Sequence, residues 1–156
     1  MAAVALRAYR IADGRFPIFD GTGARLYGGR WNSAGHNVIY ASETYAGAIL
    51  EVFVHANLGR IPKTHALIEI DVPASVAVET ITSAEVSRWD ARDQIASRAY
   101  GDLWLMEQRT AVLIVPSAVT RGREHNLLFN PGHPDFRKIT ASKPQPIIWD
   151  ERLFQQ

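Results

Sequence analysis

One carboxylate stands in a stretch that is otherwise bare of charge. Glu51 lies within Ala48-Ile49-Leu50-Glu51-Val52-Phe53-Val54. A carboxylate there has to reach water, find a cation or line a cleft. Burying it unpaired would cost several kcal/mol, or would raise its pKa until it took up a proton. Two readings of Glu51 are therefore open: a solvent-facing helical glutamate, and a carboxylate fixed in a cleft for chemistry.

Arg30 is the second candidate. It follows Gly28 and Gly29 and precedes Trp31 and Asn32. Glycine backbone can come close to an anion, and the planar guanidinium fork suits phosphate oxygens. A surface arginine stacked on Trp31 is the alternative. Tyr40 could lay its ring on a flat heterocycle while its hydroxyl bonds a ribose or carboxylate, or it could simply rim the core. Ser117 follows an apolar run and Pro116, at a strand end where sites are often built, or else it caps a turn at Val119 or Thr120. Its surroundings are not GxSxG, so they offer no hydrolase nucleophile elbow. His36, His55, His65, His125 and His133 form no HExxH or His-x-His pattern, and no Walker A sequence is present. No metal is expected. With no cysteine in the chain, thiolate catalysis, disulfides and Cys-ligated metals are excluded, which fits a reducing cytosol.

The elements that must hold these residues can be sketched from periodicity. Residues 4–11 predict a first strand, followed by a glycine-rich stretch and a short buried strand over 38–41. Ser42 is a candidate N-cap for a helix running to about Asn57, whose Ala46, Ile49, Leu50, Phe53 and Val54 keep helical spacing. Strands are expected at 65–72 and 76–80, separated by Pro73. Thr82-Ser83-Ala84-Glu85 has capping-box form and opens a helical region to about Gln108, broken near Asp90. The apolar run 111–115 reads as a buried strand, 126–129 as another and 147–149 as a last one. No GxGxxG follows the first strand, so a Rossmann unit is not expected, and the class is α+β, short strands around two helical regions. The 156 residues suit one core, and 47% hydrophobic with 21% charged residues is ordinary for a globular domain. A net charge of +1 without a basic stripe argues against nucleic-acid binding. Residues 1–8 lack the pattern of a cleaved signal and no run has membrane-spanning length, so a cytoplasmic location is expected.

Taken in order, the motifs carry more than any one of them. Gly28-Gly29-Arg30-Trp31-Asn32-Ser33-Ala34-Gly35, Val38-Ile39-Tyr40-Ala41-Ser42 and Ala48-Ile49-Leu50-Glu51 resemble the first half of an RES domain. Leu113-Ile114-Val115-Pro116-Ser117, Asn126-Leu127-Leu128-Phe129-Asn130-Pro131 and His133-Pro134 resemble its second half. The likeness runs over about residues 6–149. The family is named for an arginine, a glutamate and a serine, which the motifs match to Arg30, Glu51 and Ser117.

The resemblance implies a single RES domain over residues 1–156, a fold similar to ADP-ribosyltransferase toxins, and NAD+ as substrate. It implies a bacterial toxin that arrests growth and is held by an Xre-like antitoxin blocking its active site. Family members deplete NAD+ by hydrolysis or phosphorolysis, or pass ADP-ribose to a protein such as phosphoribosyl pyrophosphate synthetase. On that reading Glu51 stabilises the charge that develops on the ribose, or holds its hydroxyls. Arg30, with Arg10 from the first strand, holds the pyrophosphate. Tyr40 packs against nicotinamide, while Ser117 and Asn126 bond the nicotinamide amide or the ribose. The alternative is a non-catalytic ligand- or partner-binding module in which Arg30 and Glu51 form a structural ion pair.

Overall fold

Apolar alternation builds one sheet with a core on each face. The computed structural model describes residues 3–55 and 60–154. Along them run β1 (Val4–Asp13), α1 (Thr22–Tyr27), β2 (Ile39–Ser42), α2 (Tyr45–His55), β3 (His65–Pro73), β4 (Val78–Thr80), α3 (Ile95–Met106), β5 (Val112–Pro116), β6 (His125–Phe129), β7 (Thr140–Ala141) and β8 (Gln145–Pro146). The sheet order is β4-β5-β6-β2-β1-β3-β7, with β8 also pairing β3. Among the described residues only β4 and β5 run parallel. The architecture is α+β, as expected.

Successive side chains of a strand point to opposite faces. Ile39, Ala41, Val112, Leu127 and Phe129 join Ala8, Ile68, Ile70 and Val72 in one core. Val38, Leu113, Val115 and Leu128 join Trp31, Trp89, Trp104 and Leu105 in the other. Strands covered on both faces need no polar side, which is why 112–115 read as an unbroken apolar run. Each large apolar side chain so buried contributes about 1.5–3 kcal/mol.

The sheet is nearly split. β1 and β3 pair continuously from Leu6↔Val72 to Asp13↔His65, and β2 pairs β6 from Ile39↔Phe129 to Ser42↔Asn126. Between β1 and β2 the register holds a single pair, Tyr9↔Ser42. Beyond it the two halves diverge and leave a fork.

Three expectations need correction. Ser42 ends β2 rather than capping the next helix; Thr44 does so, its Oγ1 accepting from the Gly47 N–H at 2.9 Å. The expected end of that helix, at about Asn57, lies outside the described residues. Glu85 Oε1 does reach back to the Thr82 N–H and hydroxyl at 3.1 Å. The Glu85 N–H, however, bonds the Thr82 carbonyl rather than the hydroxyl, so only half of the capping box forms, and residues 83–90 make turns, not helix. Arg88 and Gln94 adopt left-handed backbone (φ 62° and 59°) and interrupt helical propagation, so α3 starts only at Ile95. The strand expected at 147–149 is absent, since pairing on β3 stops at Pro146. Pro144 and Pro146 carry no N–H to extend a ladder, and Trp149 packs edge-on against Phe154 instead. The short helix α1 had no sequence signal. Among the described residues, no helix is long and apolar enough to cross a membrane.

Candidate functional site

The fork between β1 and β2 opens into a cleft of about 730 Å³, within the range of small-molecule sites. β1, β2 and α2 border it, together with Gly28–Trp31, and the start of α3 reaches it through Gln94 and Arg98.

One wall is the glycine loop, and α3 holds it. Four residues of α3, at helical spacing, act on four of the five loop positions 29–33. Ser97 Oγ donates to the Arg30 carbonyl at 2.6 Å, and Arg98 Nε donates to the Gly29 carbonyl at 2.9 Å. Asp102 accepts from the Ser33 N–H at 2.8 Å and from its hydroxyl at 2.6 Å. Gly101 meets the Trp31 backbone so closely that a Cβ would stand 1.7 Å from the carbonyl oxygen. Asn32, fully buried, locks the loop from inside. Its amide donates to the Ala24 and Ser33 carbonyls at 3.0 Å, and its Oδ1 accepts from the Tyr40 hydroxyl at 2.6 Å. From this frame Arg30 projects into the cleft, its Nη1 steadied by the carbonyls of Trp89 and Ala91 at 3.3 and 3.2 Å.

The opposite wall carries the carboxylate. On α2, Ala48 and Val52 are buried, which turns the adjacent Glu51 toward the fork. Glu51 Oε1 accepts from the Asn126 amide at 3.2 Å, and Oε2 lies 3.1 Å from His55 Nε2 one helical turn on. The bond to Glu51 raises the His55 pKa above its ordinary value. Asn126 reaches the carboxylate because β6 sets it opposite Ser42, at the point where the sheet divides. Glu51 has no Arg or Lys partner among the described residues, and Arg30 is not bonded to it. The two residues face one cleft without forming an ion pair.

The remaining candidates fall in different places. Arg10 spans the fork itself, Nε donating to the Ile18 carbonyl at 2.8 Å and Nη1 to that of Tyr40 at 2.9 Å. It supplies the bonds that a diverging β1 no longer gives β2, and burial pulls its pKa down. Tyr40 offers its ring to the cleft, but its hydroxyl is committed to Asn32 and to the Trp31 N–H at 3.0 Å. Burial raises its pKa and keeps it a phenol. Ser117 is buried below the wall, where its Oγ accepts from the Thr120 N–H at 3.4 Å; its neighbours Pro116, Ala118 and Val119, not Ser117, border the cleft. Thus Arg30, Glu51, Tyr40, Asn126 and Arg10 converge and Ser117 stands behind them.

Sequence reasoning missed Arg98, His55 and His65. His55 had a signal in its i, i+4 spacing from Glu51. Arg98 had none, because it meets the site across 69 residues of chain. His65 borders the cleft with Nδ1 buried and unpartnered among the described residues. Arg7, Arg15, Arg88, Arg109 and Arg152 pair with carboxylates, whereas Arg10, Arg30 and Arg98 are held by backbone carbonyls, with no carboxylate within salt-bridge distance among the described residues. Such a cleft has the charge to suit an anionic ligand, with the Glu51 carboxylate facing it. Among the described residues no group of His, Asp and Glu could hold a metal ion.

Residues 7–150 match the family described as RES domain. The chain is 40% identical over 145 residues to a protein of Sphingobium sp. (strain YBL2) named Prs ADP-ribosylating toxin, covering 88% of this chain and 87% of that one. A protein of Pseudomonas putida named Toxin Res is 35% identical over 139 residues, 86% of this chain and 92% of its own. One of the same name from Photorhabdus laumondii is 32% identical over 149 residues, covering 93% and 95%. In fold, the chain is similar to one in the crystal structure of the M. tuberculosis MbcT–MbcA toxin–antitoxin complex. The TM-score is 0.71 at 19% identity, over 99% of this chain and 88% of that one.

Proposed function

The chain belongs to the RES domain family, and we propose that it is the toxin of a bacterial toxin–antitoxin pair that cleaves the nicotinamide–ribose bond of NAD+ in the cytoplasm. The observation that carries this reading is the cleft's arrangement. A lone carboxylate, held by an amide and an imidazole, faces Arg30 and Arg98, which no carboxylate pairs with among the described residues.

The chemistry asks for such an arrangement. When the bond breaks, its electron pair stays on the pyridinium nitrogen and nicotinamide leaves neutral. The ribose is left with oxocarbenium-like charge. Glu51 meets that charge from a fixed position. Asn126 and His55 set its two oxygens, and the ring of Tyr40 provides a flat wall for nicotinamide. Arg30 takes the diphosphate, and Arg10, with two nitrogens bound in the fork, supports that wall by charge. The nucleophile that completes the reaction is water, phosphate or a protein side chain. Transfer to a protein is favoured by the name of the Sphingobium relative, and phosphoribosyl pyrophosphate synthetase is the acceptor to try first. An antitoxin partner accords with the fold neighbour's complex; the reading gives it an Xre-like helix-turn-helix region and a C-terminal region that covers the cleft.

The test is the fate of NAD+ with purified protein, with and without inorganic phosphate, followed by mass spectrometry. Nicotinamide with ADP-ribose means hydrolysis, and nicotinamide with ADP-ribose 1″-phosphate means phosphorolysis. Label from NAD+ on a discrete protein of a lysate means transfer. NAD+ left intact in all three settings would make the chain a binding module and sink the reading.

A further inference from the structure

Arg98 does more than brace the loop. Its Nε is spent on the Gly29 carbonyl, which fixes the guanidinium plane and leaves both terminal nitrogens without a protein partner among the described residues, on a side chain that borders the cleft. The i, i+4 partner that would ordinarily neutralise an arginine on a helix is present: Asp102 lies one turn on. That carboxylate is turned away and bonded through both oxygens to Ser33. The backbone has also been cleared for the guanidinium. A Cβ on Gly28, which sits at φ +74°, would stand 3.2 Å from Arg98 Nη2, while one on Gly29 would stand 2.7 Å from the Tyr40 hydroxyl. Each glycine of the pair thus makes room for a particular cleft side chain.

Arg30 and Arg98 hang on the same loop, one as part of it and the other bonded to it. Both also border the cleft, and neither has a carboxylate within salt-bridge distance among the described residues, so an anion of two charges that reaches both is favoured over one that reaches a single cation. We infer that Arg98 is a diphosphate-binding residue, forming with Arg30 a two-guanidinium seat for the linkage of a dinucleotide. This rests on the reading of the cleft as an NAD+ site. It adds to that reading the source of selectivity for a diphosphate over a ligand with one phosphate or none. Guanidinium forks fit phosphate oxygens in pairs, and α3 sets the geometry before the ligand arrives.

The experiment compares the parent with Arg98→Gln and Arg98→Lys, using ADP-ribose, inorganic pyrophosphate and nicotinamide as ligands and NAD+ as substrate. Arg98→Gln should weaken ADP-ribose and pyrophosphate by roughly 10- to 100-fold. It should raise KM for NAD+ by a similar factor, change kcat little, and leave inhibition by nicotinamide intact, because the lost contact binds substrate and transition state alike. Arg98→Lys should recover part of the loss through its charge. Equal losses for nicotinamide and ADP-ribose, with a lowered Tm, would make Arg98 a strut for the loop and overturn the inference. So would an unchanged KM, and in both cases the NAD+ reading would stand. A parent protein that binds neither ADP-ribose nor pyrophosphate and leaves NAD+ intact would overturn both.

Discussion

The cleft's two walls are built to different tolerances. The Arg30 wall is over-determined: a buried asparagine, a tyrosine hydroxyl, a glycine–backbone contact and three side chains of α3 all act on residues 28–33. The Glu51 wall is one carboxylate with two side-chain contacts at 3.1 and 3.2 Å. A phosphate-binding wall gains from rigidity, since donors fixed in advance lose no freedom when the anion arrives. A carboxylate that must meet a developing charge needs oxygens not already saturated. Changes on the first wall should therefore cost stability and binding, and changes on the second should cost rate.

The largest expected effect tests the second wall. Glu51→Gln keeps the shape and can keep the Asn126 contact, but it removes the charge. NAD+ turnover should fall about 10³-fold, equivalent to about 4 kcal/mol, with Tm unchanged. Turnover at the parental rate would remove Glu51 from the chemistry. Gly101→Ala is the counterpart on the first wall. Its Cβ would collide with the Trp31 carbonyl at 1.7 Å, so α3 must back away from the loop. The loss should be about 3 kcal/mol, or roughly 6–12 °C in Tm, with weaker NAD+ binding. If Gly101→Ala melted with the parent while Glu51→Gln did not, the contrast between the walls would be reversed.

The same contrast explains what could be read from the chain. Glu51 and Arg30 stood out because local sequence marks them, a charge in an apolar helix and an arginine after two glycines. Strands β5 and β6 stood out because both faces are buried and the run is apolar. The fork was illegible, since it depends on where the pairing of β1 and β2 stops, and register is not written within either strand. The role of α3 was illegible for a similar reason. Ser97, Arg98, Gly101 and Asp102 acquire meaning only against a loop about 70 residues away. The helix expected from Thr82 failed because its capping signal is local and only half realised, and the left-handed residues Arg88 and Gln94 carry no mark in their side chains. Ser117 satisfied a motif, yet its hydroxyl caps a turn.

A smaller effect sharpens the first wall. Tyr40→Phe retains the ring that faces the cleft but deletes the hydroxyl shared by Asn32 and the Trp31 N–H. Two groups of the buried loop then lack partners, which should cost about 2 kcal/mol and lower Tm by roughly 4–8 °C. kcat should change less than stability does. A variant with parental Tm and a large loss of kcat would instead give the hydroxyl a direct part in the reaction.

The smallest effect belongs to the carboxylate wall, and it is the one that pH can reach. His55 sits above its ordinary pKa of 6.5 because of its bond to Glu51. For a raised histidine, the stabilising ion pair is complete below about 6.5 and is lost as pH rises through the folded-state value. In that window the His55 tether on Glu51 loses its charge and keeps at most a neutral N–H bond, so the carboxylate gains freedom to turn. kcat should decline there by a few-fold at most, because the His55 side chain is 75% exposed and its pairing is screened. KM, which reports the arginine wall, should change less than kcat over that window. His55→Gln should flatten the decline in kcat. A decline that persists in His55→Gln would mean that another group, on either wall, controls the alkaline limb.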